Sequence, residues 1–180
     1  GGTLMPLYIS LMKLTAKGLA ELHDSPRRRQ VSEQRVAALG SLNVDGTPMV
    51  SMVPYAIDTR APCLVIHVSS LAAHTGNLLR SPAVSMLIMR AEVAGEPVHA
   101  LARATLQGQA QAPTPESPLW HQAREAYLAR FPEAAAMMDL GDFRLVRVLI
   151  TQMRQIAGFG AARSIDHQEI AQLLAPPPPA

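Results

Sequence analysis

The 180-residue sequence predicts a mainly β protein, a six-stranded antiparallel barrel with helices inserted between strands. Three observations lead there. Six apolar, β-branched runs of strand length follow one another, most of them joined by short turn signals. The chain is 48% hydrophobic but only 4% aromatic, so its core is built from Leu, Val, Ala and Met. Closing a sheet on itself removes exposed edges, so hairpin-linked strands of this kind suit a barrel better than a sandwich.

The elements follow in order. Residues 8–22 read as a helix, with Ile9, Met12, Ala16 and Leu19 at helical spacing and Pro26 beyond them as a stop. A short helical piece is expected at residues 32–35. Residues 36–43 form the first strand. Asp45-Gly46 is a hairpin signal, because a tight turn needs residues that accept positive φ. Residues 49–57 form the second strand. Pro54 removes one ladder donor and belongs at an edge, bulge or bend. Residues 63–68 form the third strand, paired antiparallel to the second.

Ser69 and Ser70 offer hydroxyl caps for a helix over residues 71–80, which Ser81-Pro82 stops. A fourth strand covers residues 83–90. A fifth covers 98–112, with Leu101, Arg103, Thr105 and Gln107 on one side and Ala102, Ala104, Leu106 and Gly108 on the other. Gly108 signals a bulge. Pro113, Pro115 and Pro118 make a rigid connector to a helix over 119–130, which packs Trp120, Ala123, Tyr127 and Leu128. Residues 142–156 form the sixth strand, closed by the Gly158-Phe159-Gly160 turn. A helix over 165–174 precedes a Pro-rich tail. The domain reading is an N-terminal helical segment at 1–31, a barrel at 32–162, and a C-terminal helix and tail at 163–180.

Charge and composition exclude several classes. A net charge of +2 is too weak for nucleic acid to be the main partner, and Arg27, Arg28 and Arg29 read as a solvated connector. The single cysteine, Cys63, permits no internal disulfide and reads as a small buried hydrophobe. No apolar run is long enough to span a membrane, and Lys13 and Lys17 interrupt any leader pattern. The expectation is a cytoplasmic protein that binds neither membrane nor nucleic acid. The six histidines show no metal-ligand spacing, and no metal site is expected.

The stretch from Cys63 to Ser85 carries the functional signal. A helix that begins where a strand ends is an anion site, because its first amides lack partners and the dipole is positive there. Ser69, Ser70, His74, Thr75 and Asn77 surround that end, and all can donate to phosphate oxygens. This points to a phosphorylated cofactor.

The segments VAALGSLNVDGTPMVSMVPYAID, VSSLAAHTGNLLRSPAVSMLI and ARATLQGQAQ together resemble the FMN-binding split-barrel family related to pyridoxamine 5′-phosphate oxidase. The closing LGDFRLVRVLITQMRQIAGFGAA is similar to a sub-group linked to haem utilisation and degradation. The resemblance implies a six-stranded split barrel and a homodimer with FMN at its interface. Val50, Ser51, Met52 and Val53 would lie along the flavin, with His67, Val68 and Ser69 lining the next strand. His74, Thr75 and Asn77 would meet the phosphate, and Arg103 would make a polar cofactor contact. Ala73 and His74 stand where the oxidase has consecutive basic residues, and Tyr55 where it has Lys. These departures point away from pyridoxamine-phosphate oxidation itself. The leading expectation is a small FMN-dependent oxidoreductase with no residue assigned as catalytic. The alternative is a haem-binding or haem-degrading protein on the same fold, with His167 as iron ligand.

Overall fold

The hairpin signalled by Asp45-Gly46 opens the fold. β1 (Val36–Leu42) and β2 (Pro48–Asp58) pair antiparallel from Leu42↔Pro48 to Val36↔Pro54. Gly46 sits in the turn at φ +80°, where only glycine is unstrained. The Asp45 carboxylate accepts from the Thr47 hydroxyl and amide, which holds its pKa below the usual carboxylate range. This computed structural model describes residue 31, residues 33–156 and residues 162–175. The helices expected at 8–22 and the Gly158-Phe159-Gly160 turn lie outside the described residues.

β3 (Cys63–Ser69), β4 (Ala83–Met89), β5 (Arg103–Gln111), β6 (Phe143–Ile156) and β7 (Ala162–Ile165) complete one sheet in the order β3-β2-β1-β4-β5-β6-β7. β3 also pairs with β6 from Cys63↔Leu149 to Ser69↔Phe143, which closes six strands into a barrel. Pro54 falls where β2 leaves β1 and takes up β3, whose ladder starts at Tyr55↔Ile66. The missing donor therefore sits at a change of partner, a bend of the kind Pro tolerates.

Alternation sorts the side chains. Ala37, Leu39, Val53, Tyr55, Leu64, Ile66, Met86, Ile88, Ala104, Leu106, Val146 and Val148 point into the barrel core. The Tyr55 hydroxyl donates to the Val31 carbonyl at 2.5 Å, so this buried phenol has its partner, and burial raises its pKa. Gly108 is buried, and the β5–β6 register shifts between Gln107 and Gly108, as a bulge requires.

Helices close what the strands leave open. α1 (Ala73–Arg80) contributes Leu78 to the barrel core at the β1–β2 hairpin end. α2 (Pro118–Arg130), capped by the Ser117 hydroxyl, lies over the outside of β2, β3 and β6. There Ala123, Tyr127 and Phe131 pack on Ala56, Val65 and Leu145 in a second apolar cluster. The short α3 (Ala135–Met138) follows it. α4 (His167–Leu174) starts behind the Asp166 cap and adds Ile170, Leu173 and Leu174 to the barrel core.

Several expectations need correction. The helix after β3 starts at Ala73, two residues later than expected, and its N-cap Ala72 offers no side-chain cap. The fifth strand starts at Arg103, because residues Val98–Ala100 form a 3-10 turn instead. β7 is a seventh strand that the sequence analysis did not contain, paired with Met153–Ile156 through Ile165↔Met153 and Ala162↔Ile156. Through β7 and α4, the segment after residue 162 is part of the barrel core.

Candidate cofactor site

The residues expected to share one site divide among five environments. Val50 and Met52 project outward from β2, 70% and 66% exposed. Val53 and Val68 point the other way and are core residues. Ser51 also lies on the inward-facing side of β2, and its buried hydroxyl has no hydrogen-bond partner among the described residues. His67 is on the outside of β3, but under α2. Its ring stacks on Phe143 at 5.0 Å and tilts against Tyr127 at 5.5 Å. That places it on the helix-covered wall, away from Val50 and Met52.

The α1 end is tightly bonded to itself. The Thr75 hydroxyl donates to the Ser69 carbonyl at 2.6 Å. The Asn77 amide donates to the Ser41 hydroxyl at 3.2 Å and to the Asn43 side-chain oxygen at 3.0 Å, with the Met49 sulfur at 3.6 Å. The Asn77 oxygen accepts from Arg80, which also donates to the Leu42 carbonyl. Thr75 and Asn77 are both buried. Their polar groups therefore knit α1 to the end of β3 and to the β1–β2 hairpin. The Ser69 hydroxyl accepts from the Leu71 amide, and the Ser70 hydroxyl accepts from Arg144. Burial lowers the His74 pKa from its ordinary value, which disfavours the charged imidazole there. The cations this end does hold, Arg80 and Arg144, are not among the expected site residues.

Arg103 lies elsewhere. It stands at the start of β5, whereas the α1 end of the barrel meets β5 near Gln109, which pairs with Ala83. Six residues of strand separate the two positions, roughly 20 Å. No single small ligand group bridges Arg103 and the α1 hydroxyls.

Among the described residues, none covers one side of the barrel. The outward residues of β1, β2 and β4 include Val36, Ala38, Val50, Met52, Leu87 and Met89, joined by the registers Ala38↔Met52 and Ala38↔Leu87. Val36 and Met89 are 47% and 46% exposed, so this is a contiguous apolar face rather than scattered surface residues. Two cavities are recessed into it. One of about 500 Å³ lies along Gly40, Leu42, Pro48, Val50, Ser85 and Gln107. Another of about 320 Å³ lies along Val36, Ala38, Val50, Met52, Leu87 and Met89. Alternation along the strands makes this face legible only once it is known which strands α2 covers.

An antiparallel split barrel with an apolar wall left bare by the described residues defines the structural class. The chain belongs to the pyridoxamine 5′-phosphate oxidase family, whose model matches residues 26–157. Within it, the chain is 35% identical over 156 residues to the chloroplastic heme oxygenase HOZ of Arabidopsis thaliana, covering 80% of this chain and 46% of that protein. It is 27% identical over 143 residues to the heme oxygenase HutZ of Vibrio cholerae, covering 79% of this chain and 80% of that one. The structure of a heme binding protein from Mycobacterium smegmatis superposes with a TM-score of 0.72 at 28% identity, over 88% of this chain and 62% of that one. The chain thus spans less than two thirds of the first and third of these proteins. Among the described residues, no helix is long and apolar enough to cross a membrane.

Proposed function

We propose that this chain binds haem on the open wall of β1, β2 and β4, as a homodimer, and handles it in the manner of a haem oxygenase. The observation that carries this reading is the pairing of an apolar wall left bare by the described residues with an α1 end where Thr75 and Asn77 are already bonded internally. A flavin mononucleotide needs its phosphate held by fixed donors and cations. Here Thr75 and Asn77 are engaged, and burial disfavours the charged form of His74. A porphyrin asks instead for a broad apolar surface, and Val50, Met52, Ala38 and Leu87 provide one. The names of the relatives support the haem alternative over the FMN reading.

When bound, haem iron supplies dioxygen activation. The chain's own contribution is burial and orientation. Val50, Met52 and Met89 would hold one face of the ring out of water, with a second subunit over the other. His167, at the start of α4, is proposed as the iron ligand. α4 is anchored by Ile170, Leu173 and Leu174 in the barrel core, so a ligand at its first residue is borne on a fixed element.

The test is a titration of the purified protein with ferric haem and, separately, with FMN. A saturable Soret band and no FMN retention are expected. His167→Ala shifts that band and weakens binding, and added reductant and oxygen bleach it in the wild type. Retained FMN with no Soret response overturns the reading.

A further inference from the structure

The open wall changes character across its width. Beyond β4, the outward residues of β5, β6 and β7 are mostly polar, with Ile156 and Ala162 beside Arg103 as exceptions. Thr105 faces Arg154, and Arg154 faces Ser164, with Gln107 opposite Gln152 one step along. These residues line a recess of about 400 Å³. Arg103 precedes Thr105 by two residues on the same side of β5, which makes it the diagonal neighbour of Arg154. Diagonal neighbours on antiparallel strands sit roughly 7–8 Å apart.

Among the described residues, the two guanidinium groups have no acidic partner. Arg103 donates to the Leu101 carbonyl at 3.0 Å and forms no ion pair among the described residues. Arg154 is exposed and has no hydrogen bond or ion pair among the described residues. Like charges held side by side repel until an anion arrives, and the planar guanidinium fork matches a carboxylate. The spacing matters too. Two cations one diagonal apart suit two anionic groups, whereas a single phosphate would draw them to one point.

We infer that Arg103 and Arg154, flanked by Thr105, Gln107, Gln152 and Ser164, receive the two carboxylates on one edge of a flat apolar ligand. On the haem reading, on which this inference rests, those are the two propionates. The ring then lies toward the apolar strands and its acidic edge toward β5–β7. The wall is amphipathic in the same sense as the ligand. β7 also leads directly into α4, so the proposed carboxylate end and His167 belong to one continuous segment.

The experiment compares ferric haem with its dimethyl ester, which keeps the ring and iron but removes both charges. Wild type is expected to bind haem roughly tenfold more tightly than the ester, with an advantage that shrinks as salt is raised. The double variant Arg103→Gln, Arg154→Gln is expected to lose that factor for haem and to keep the ester affinity, with an unchanged melting temperature. Equal binding of haem and ester by wild type overturns the inference and leaves the haem reading intact. A variant that weakens both ligands equally also overturns it. If wild type binds neither, the haem reading fails and the inference fails with it. The wild-type comparison needs no substitution, so it stands even if the variant does not fold.

Discussion

His67 shows how burial redirects a residue that looks functional. Packed between Phe143 and Tyr127 under α2, its ring loses solvent, and its pKa is lowered from the ordinary 6.5. The neutral form is the folded form. The unfolded chain binds the proton first, so stability is present above about pH 6.5 and falls as pH drops below it. His67→Phe keeps an aromatic ring and removes the titration. Melting temperature measured from pH 7.5 to pH 5 is expected to fall less in this variant than in wild type. A parallel fall in both would place the ring in solvent. Burial acts on Cys63 in the same way, pushing its thiol up to about 11. Such a thiol is a poor nucleophile at neutral pH, and alkylation of the folded protein by iodoacetamide is expected to be negligible until denaturant is added.

At the scale of elements, two small features hold the barrel ends. Gly108 faces the backbone of β6 so closely that a Cβ there would overlap the Leu149 carbonyl oxygen. The obstacle is backbone, which cannot rotate aside. Gly108→Ala is therefore expected to cost about 2 kcal/mol or more in urea denaturation, through a forced shift of the β5–β6 bulge. An unchanged midpoint would contradict that packing. Asn77 binds α1 to the β1–β2 hairpin through donors and an acceptor that are all engaged. Asn77→Ala leaves Ser41 and Asn43 without that partner and should cost about 1–3 kcal/mol, whether or not any ligand is present. Full stability with lost cofactor affinity would instead mark Asn77 as a ligand contact.

For the whole molecule, the decisive feature is asymmetry of cover. α2 shields one wall of the barrel, and the described residues leave the wall of β1, β2 and β4 bare. A stable interface removes about 800 Å² from each partner, and an apolar strand face of this kind is suited to that. Light scattering of the wild type is expected to give a dimer mass. Met52→Glu places an unpaired charge on the centre of the wall and is expected to give a folded monomer with weakened haem binding. A wild-type monomer, or a Met52→Glu dimer of wild-type affinity, would move the interface elsewhere.

Much of the architecture follows from the sequence alone. Alternation, the Asp45-Gly46 turn, Pro54 and Gly108 mark strands, hairpin, partner change and bulge because each acts through a local backbone rule. Family membership was legible for the same reason, since order and spacing of these signals are linear. The grouping of the site was not. Thr75 and Asn77 read as free donors, because a sequence lists hydrogen-bonding groups without saying which are taken. Arg154 was overlooked, because its position beside Arg103 depends on the β5–β6 register, which the bulge displaces by one residue. β7 was missed because four residues paired to a strand edge carry little periodicity of their own. Which wall stays open was settled only when α2 docked over β2, β3 and β6, a long-range packing choice that no local pattern encodes.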